Sequence, residues 1–382
     1  MVKYIGSKRV LAPAIERLAS ALPIRSACDL FAGTTRVGQA IRRAGLTVHS
    51  NDTATYSEAL GQAYIVAGET VDRERLRRLF RELSGVEPKH GYFTETFCIR
   101  SRYFQPHNGR RVDAIRDEID RLDLDPVERG LVLTSLMEAA DRVDSTCGLQ
   151  MAYVKEWAAR SFGDLELREP RAVPGPSGTT SRVDANELAS QLHGIDCAYL
   201  DPPYNQHSYF SNYHIWETLI RWDQPEAYGV ACKRLDCRTT KSAYNSKRQA
   251  WQAFAGLIEV LPTPWIVVSF NNEGFHDLGL VAAVLSEKGY VRSVEVDFKR
   301  YVGAQIGIYN PSGKKVGRVS HLRNKEVVFI AGPDESVVER AAAAIGVPRK
   351  NISQTAHFSP VTPCSIGPSE LSVVPASSTE RE

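Results

Sequence analysis

Hydrophobic positions along the chain change their period three times. The run Ser26-Ala27-Cys28-Asp29-Leu30-Phe31 is short, apolar and closed by Gly33. Residues 36–44 are helix formers ended by Gly45, and Thr47-Val48-His49-Ser50 is a second short run stopping at Asn51-Asp52. Strand, turn, helix and strand in that order predict the opening of a parallel sheet. The same texture returns at Ile195–Leu200, a buried-strand pattern that ends on Asp201-Pro202-Pro203-Tyr204. Helical spacing follows over Tyr213–Arg221 and 247–261, then a strand over Trp265–Phe270 and a helix ending at Gly289. Val291–Phe298 and Glu326–Ile330 pattern as a hairpin with a long connection.

Between the two sheet-like stretches the spacing is helical. Residues 71–82 are strongly charged, and Ile115, Ile119, Leu122, Val127, Leu131, Leu133 and Leu136 fall on a helical period. Residues 53–165 therefore predict mainly helix, interrupted near Phe104–Gly109, and the Pro/Gly/Ser/Thr stretch 170–181 predicts a loop. Beyond Asn351 no period survives, which predicts a disordered tail over 351–382 after a short helix at 336–350. The expected architecture is α/β. A core of residues 1–52 plus 184–335 is interrupted by a helical insertion over 53–183. Helices should cover both faces of a parallel sheet, with one antiparallel hairpin strand at an edge.

Composition narrows the function classes. The 382 residues are 43% hydrophobic, enough for a sizeable core. Lys+Arg 47 against Asp+Glu 45 gives +2, which excludes a bulk polycation, so any nucleic-acid contact must rest on local patches. No apolar run of ~18 residues predicts a membrane span, and the first residues carry no secretory pattern. Seven scattered cysteines without CxxC or Cys/His spacing predict reduced thiols in a cytoplasmic protein without a metal site; His207, Cys232 and Cys237 carry no chemistry in this reading.

Three motifs can carry chemistry. A glycine after a strand, as in Asp29-Leu-Phe-Ala-Gly33, lets the backbone approach a ligand, and Asp52 at the end of the next strand can accept both hydroxyls of a ribose. Asp201-Pro202-Pro203-Tyr204 ends its strand rigidly and sets two acceptors beside a flat ring, an arrangement suited to a planar exocyclic amine. The N-terminal Lys3-Tyr4-Ile5-Gly6-Ser7-Lys8-Arg9 offers an aromatic, a glycine and a lysine that could wrap a ligand. Residues 299–325 hold seven Lys/Arg and no acid, which predicts phosphate contact through Lys299, Arg300, Lys314, Lys315 and Arg318. A second basic stretch is Lys233, Arg234, Arg238, Lys241, Lys247 and Arg248.

Tyr4-Ile-Gly-Ser-Lys8, Asp29-Leu-Phe-Ala-Gly33, Asn51-Asp52 and Asp201-Pro-Pro-Tyr204 stand in the order that DNA adenine-N6 methyltransferases of the alpha motif arrangement use. The chain resembles most the type IIS restriction-companion adenine methylases, through Ser135–Asp141, Tyr153–Trp157, Asp201–Tyr209, Asn212–Glu217 and Ser269–Gly274. The resemblance covers roughly residues 1–331. It implies a Rossmann-like S-adenosylmethionine-dependent methyltransferase fold, with S-adenosylmethionine as methyl donor and no metal. Tyr4 and Lys8 would then pack over the donor. Asp29, Phe31 and Gly33 would line it, Asp52 would bind its ribose, and Asp201 would face it. Asp201, Pro202, Pro203 and Tyr204 would be catalytic toward an adenine flipped from duplex DNA, with Lys241 and the basic connection on the DNA. The 53–183 insertion would recognise the target, and a restriction endonuclease is the companion the resemblance implies.

One departure is Thr35, where the family usually has glycine; its Cβ is expected to narrow the turn beside the donor. The rival readings are an RNA base-amine methyltransferase, a cytosine-N4 DNA methyltransferase and a catalytically silent DNA-binding protein. Duplex DNA against folded RNA as methyl acceptor separates the first. Aspartate rather than serine at position 201 argues against the second, and intact Asp52, Asp201 and Tyr204 argue against the third.

Overall fold

The computed structural model describes residues 2–154, 156–271, 274–299, 308–309, 315–317 and 323–346. Seven strands form the central sheet: β1 Ser26–Asp29, β2 Thr47–Asn51, β3 Thr179–Ser181, β4 Cys197–Leu200, β5 Trp265–Asn271, β6 Tyr290–Lys299 and β7 Arg323–Gly332. Their spatial order is β3-β2-β1-β4-β5-β7-β6. The pairs β2–β3, β1–β2, β1–β4 and β4–β5 are parallel. β7 runs antiparallel to both β5 and β6. The doubly covered α/β fold with a mostly parallel sheet is as expected. The position of the antiparallel strand is not, because β7 lies inside the sheet and the outermost strand β6 runs with the parallel set. An internal strand buried on both faces reads as continuous apolar sequence, so Val327–Ala331 gave no sign of lying inside rather than at the rim.

Alternation along the strands sorts two cores. Ala27, Val48, Tyr199, Val267 and Ile330 face a layer that includes the helices Ala12–Ala21, Arg36–Arg43 and Glu335–Ala344. Cys28, Leu30, Ala198, Val268 and Phe329 face Ala185–Ala189, Ala250–Val260 and Leu278–Ser286. The helix Ala12–Ala21, with proline in its first turn, was not expected from the pattern ahead of the first strand.

The helical excursion is present as Thr55–Gly61, Arg73–Gly85, Pro106–Arg121 and Pro126–Arg142. Asp72 caps the second by accepting from two backbone amides, and Asp125 with Glu128 forms a capping box on the fourth. Two boundaries differ from expectation. Thr179–Ser181, predicted as loop, is the β3 edge strand, so the excursion gives way to sheet before residue 183. Tyr213, Ile215, Trp216 and Leu219, which follow the Asp201 loop, are buried in the core of the excursion rather than against the sheet. The final helix covers Glu335–Ala344; residues 347–350 and the predicted tail 351–382 lie outside the described residues.

Candidate active site

Three strand ends meet at one sheet edge. Register places Asp29 of β1 opposite Ser50 of β2 and Tyr199 of β4, so Asp29, Asp52 and Asp201 leave the same C-terminal edge. Such an edge is where open α/β sheets bind ligands. A cavity of about 320 Å³ opens there, lined by Tyr4, Lys8, Asp29, Phe31, Gly33, Asp52, Asp201, Pro203 and Lys241 among others. Pro202 and Tyr204 are not in its wall. Pro202 is buried, and the Tyr204 carbonyl accepts from the Phe275 amide at 3.0 Å.

Each carboxylate has a distinct setting. Asp29 is 1% exposed; its Oδ2 accepts from the Gly38 amide at 3.2 Å, and its Oδ1 is buried without a hydrogen-bond partner. Burial, then the nearby Asp201 charge, push the Asp29 carboxyl up to about 8. An unsatisfied buried carboxylate oxygen is costly, and it is a natural receptor for a ligand ammonium. Asp52 accepts from the amides of Gly33 at 2.8 Å and Ala54 at 2.9 Å, one on each oxygen. Each oxygen keeps a second lone pair. Asp52 thus pins the glycine turn as well as facing the cavity. Its carboxyl is pushed up by burial against the pull of these amides.

Asp201 Oδ1 pairs with Lys8 Nζ at 2.8 Å, and Lys8 Nζ also pairs with Glu326 Oε1 at 2.6 Å. Lys8 lines the cavity while its ammonium is held between these two carboxylates. Burial opposes the charge on Lys8, but Asp201 and Glu326 outweigh it and hold the ammonium charged. Burial raises Asp201 to about 6; Lys8 pulls it down, and the nearby Glu326 charge pushes it up.

Gly33, at φ +49, is needed twice: for the left-handed backbone, and because a Cβ there would come 3.2 Å from the Tyr4 ring. Tyr4 stacks on Tyr213 at 4.4 Å and Tyr209 at 5.3 Å, and its hydroxyl is 3.1 Å from that of Tyr56. The segment around it is anchored at both ends, since Lys3 Nζ pairs with Asp141 at 2.9 Å in the excursion. Thr35 takes φ 57, a conformation that costs a non-glycine residue about 1–2 kcal/mol. Its side chain does not narrow the cavity: it is outside the lining, and its hydroxyl accepts from Gln39 Nε2 at 2.9 Å within the helix.

Sequence reasoning missed several partners. Tyr56 and Tyr209 line the cavity beside Tyr4, which Tyr213 backs from the core of the excursion; Glu326 of β7 holds Lys8 and is itself held by Ser269 of β5. An acid at the start of an otherwise apolar strand was the available signal for Glu326. The stretch Thr240–Asn245 also lines the cavity, and Asn245 Nδ2 donates to the carbonyls of Asn205 at 2.9 Å and His207 at 3.1 Å. The block Asn212–Glu217 is structural: Glu217 accepts from the Thr55 amide and hydroxyl, and buried His214 bonds the Gln150 carbonyl.

The basic residues divide. Lys241 is exposed at the cavity mouth, and Lys247 and Arg248 are exposed. Arg238 lies 4.2 Å over the Tyr228 ring. Arg234, expected with this patch, is buried and paired bidentately with Asp223 and Asp236, so it cannot reach phosphate. Arg300, Lys314 and Arg318 lie outside the described residues, and of Lys299 and Lys315 only the backbone is described. The strand ends that the basic connection joins, Lys299 and Arg323, are paired at the same sheet edge as Asp201.

Residues 4–259 match the family described as D12 class N6 adenine-specific DNA methyltransferase. The chain is 30% identical over 338 residues to the type II methyltransferase M.NlaIII of Neisseria lactamica, covering 85% of this chain and 99% of that protein. It is 30% identical over 326 residues to the modification methylase StsI of Streptococcus sanguinis, and 30% over 328 residues to the type II methyltransferase M.FokI of Planomicrobium okeanokoites. Those alignments cover 80% and 78% of this chain but 50% of each relative, so the chain spans about half the length of these two.

Proposed function

The chain belongs to the D12 class of N6 adenine-specific DNA methyltransferases, and on that premise we propose that the cavity at the β1–β2–β4 edge holds S-adenosylmethionine beside an adenine flipped from duplex DNA. Its activity is that of the family, site-specific methylation of adenine N6 in DNA, which sets aside RNA and cytosine N4 as targets. The observation that carries the proposal is the convergence of Asp29, Asp52 and Asp201 on one cavity, with Asp29 Oδ1 buried and unpartnered. That oxygen suits the donor's ammonium, the free lone pairs of Asp52 suit its ribose hydroxyls, and Gly33 and Phe31 give it a close wall. The bound donor supplies a methyl group made electrophilic by its sulfonium.

The rest falls to the protein. The adenine amine is a poor nucleophile because its lone pair is spread into the ring. Asp201 and the Pro202 carbonyl accept hydrogen bonds from its two N–H groups, favouring a pyramidal nitrogen and the positive charge that grows on it during attack; the donor's sulfur leaves as a neutral thioether, and the methylated nitrogen sheds its extra proton to solvent. Tyr204 stacks on the base, and Pro203 keeps the loop rigid. Holding both reactants in line supplies much of the remaining acceleration. The base must leave the stack to reach this edge. The helical excursion reads the target, the protein works in the cytoplasm, and a restriction endonuclease is its companion. Modification-sensitive sequencing of DNA from cells expressing the chain tests the assignment, with N6-methyladenine in one recurrent motif as the expected result and an unmodified genome as the contrary one.

Two results are expected from this assignment. Asp52→Ala weakens S-adenosylmethionine binding by ~1.5–3 kcal/mol, the range for hydrogen bonds to a charged group. Titration calorimetry checks this, and an unchanged affinity moves the ribose partner elsewhere. Replacing Lys314, Lys315 and Arg318 together by alanine weakens cognate and non-cognate duplexes alike and lowers the salt slope of binding by up to ~3 units. Coincident salt titrations of parent and variant would remove the connection from the DNA contact, and a loss confined to the cognate duplex would make it a base reader.

A further inference from the structure

Glu326 lies outside the cavity lining, yet it is tied to the residue at the centre of the proposed chemistry. It enters from β7, 5% exposed in its side chain, and its Oε1 receives both the Ser269 hydroxyl at 2.6 Å and the Lys8 ammonium at 2.6 Å. Lys8, 6% exposed, gives its other contact to Asp201 Oδ1 at 2.8 Å. One buried ammonium is therefore divided between a carboxylate in the cavity wall and a second carboxylate behind it, which is itself fixed by a serine on the neighbouring strand.

That division matters for Asp201. An acceptor for an amine must be ionised but not spent. A lone carboxylate buried here would take up a proton and lose its accepting power. A carboxylate locked alone to a desolvated ammonium would be charged but weakened as an acceptor by its exclusive partner. Sharing the ammonium with a second carboxylate lies between these extremes: Lys8 keeps Asp201 ionised while Glu326 draws part of its charge away. We propose that Glu326 is a positioning residue for methyl transfer, holding the Lys8 ammonium and drawing on its charge so that Asp201, kept ionised by Lys8, keeps accepting capacity for the target amine. This rests on the assignment of Asp201 as the amine acceptor.

The arrangement predicts a reversal of sign that a merely structural ion cluster does not. In the parent, Glu326 helps by drawing on Lys8. Once Lys8 is uncharged, Glu326 has only its own negative charge to offer Asp201, and it becomes a burden. Among the described residues, the other titratable groups near Asp201 and Lys8 are Asp29 from β1, Tyr199 from β4, Tyr204 of the loop and Tyr209 from the turn beyond it, and none of them is altered in the test.

The test is single-turnover methylation of duplex DNA at saturating S-adenosylmethionine, for Glu326→Gln, Lys8→Met and the double variant, with both binding constants measured. Glu326→Gln is expected to slow transfer on the order of tenfold while changing both binding constants by less than about twofold, the signature of an interaction felt in the transition state. Lys8→Met slows it further, and adding Glu326→Gln to Lys8→Met speeds it again. A slowing by Glu326→Gln in both backgrounds, or a parent-like rate, overturns the proposal. A second reading needs no Lys8 variant. The loss of one negative charge beside Asp201 moves the acid limb of the rate profile to lower pH in Glu326→Gln, and an unmoved limb counts against the proposal. If the parent itself leaves adenine unmethylated, the assignment of the cavity fails; if the parent methylates and Glu326→Gln matches it, only the role of Glu326 fails.

Discussion

Asp201→Ala is expected to lower the single-turnover rate of adenine methylation by ~10²–10³, the scale for removing one preorganised electrostatic contact at a reacting centre. The carboxylate stands at the end of β4 in the cavity wall, raised by burial and held ionised by Lys8 at 2.8 Å. Without it the amine keeps only a neutral carbonyl as acceptor, and charge growing on nitrogen loses its carboxylate counter-charge. S-adenosylmethionine affinity should fall far less, because Asp29, Gly33 and Asp52 approach the cavity from β1 and β2. Lys8 loses one partner but retains Glu326, so the fold should survive and the two effects remain separable. Tyr204→Ala should also slow transfer through lost stacking. Parent-like single-turnover rates in both variants would remove the amine from this loop.

The second large effect is on stability. Arg234→Met is expected to cost about 3 kcal/mol, the lower end of the range for stripping one partner from a buried ion pair. The guanidinium side chain is 1% exposed and meets Asp223 at 2.7 and 3.0 Å and Asp236 at 2.8 Å through two nitrogens. Burial alone would weaken its charge; the two carboxylates reverse that and hold it more firmly than usual. The lower end applies because both aspartates are about one-third exposed and Arg221 remains beside them, so water and a second cation limit the loss. Urea unfolding measures the change, and the salt slope of DNA binding should stay where it is in the parent. A stable variant with a reduced slope would return Arg234 to the phosphate-contacting set.

Arg234 also marks what a sequence can and cannot disclose. In the chain it stands among Lys233, Arg238 and Lys241 and reads as one cation of a patch. Its aspartate partners lie at positions 223 and 236 and give no local sign that all three converge. The site's main acids were legible because each ends a short apolar run, a local property that survives in one dimension. Glu326 was not, because its partners Lys8 and Ser269 come from the first residues and from another strand. The same holds for the tyrosines: Tyr4 was singled out, but it stacks on Tyr213, whose hydroxyl accepts from the neighbouring Ile5 amide across 208 residues. Strand order was hidden for a related reason. A hairpin pattern fixes that β6 and β7 pair, not which of them faces β5, and only the three-dimensional register places β7 inside. Thr179–Ser181 is too short and too polar to announce a strand, and it is one only because β2 offers it a free edge.

The separation of the strands that carry the site bears on how the molecule assembles. Asp52 reaches the Gly33 amide across 19 residues, so the β1–β2 part of the cavity assigned to the donor is made from neighbouring sequence. The half that carries Asp201 joins it through β1 and β4, whose entrance is tied where Asp196 accepts from Ser26, 170 residues away. Closing that distance spans the whole intervening excursion, and long-range closure of this kind is slow beside local contacts. A chain caught before β4 docks could hold the turn that grips a nucleoside and yet have no acceptor for a base. Competence for methyl transfer would then appear after competence for donor binding, and the interval between them would time the docking of a single strand.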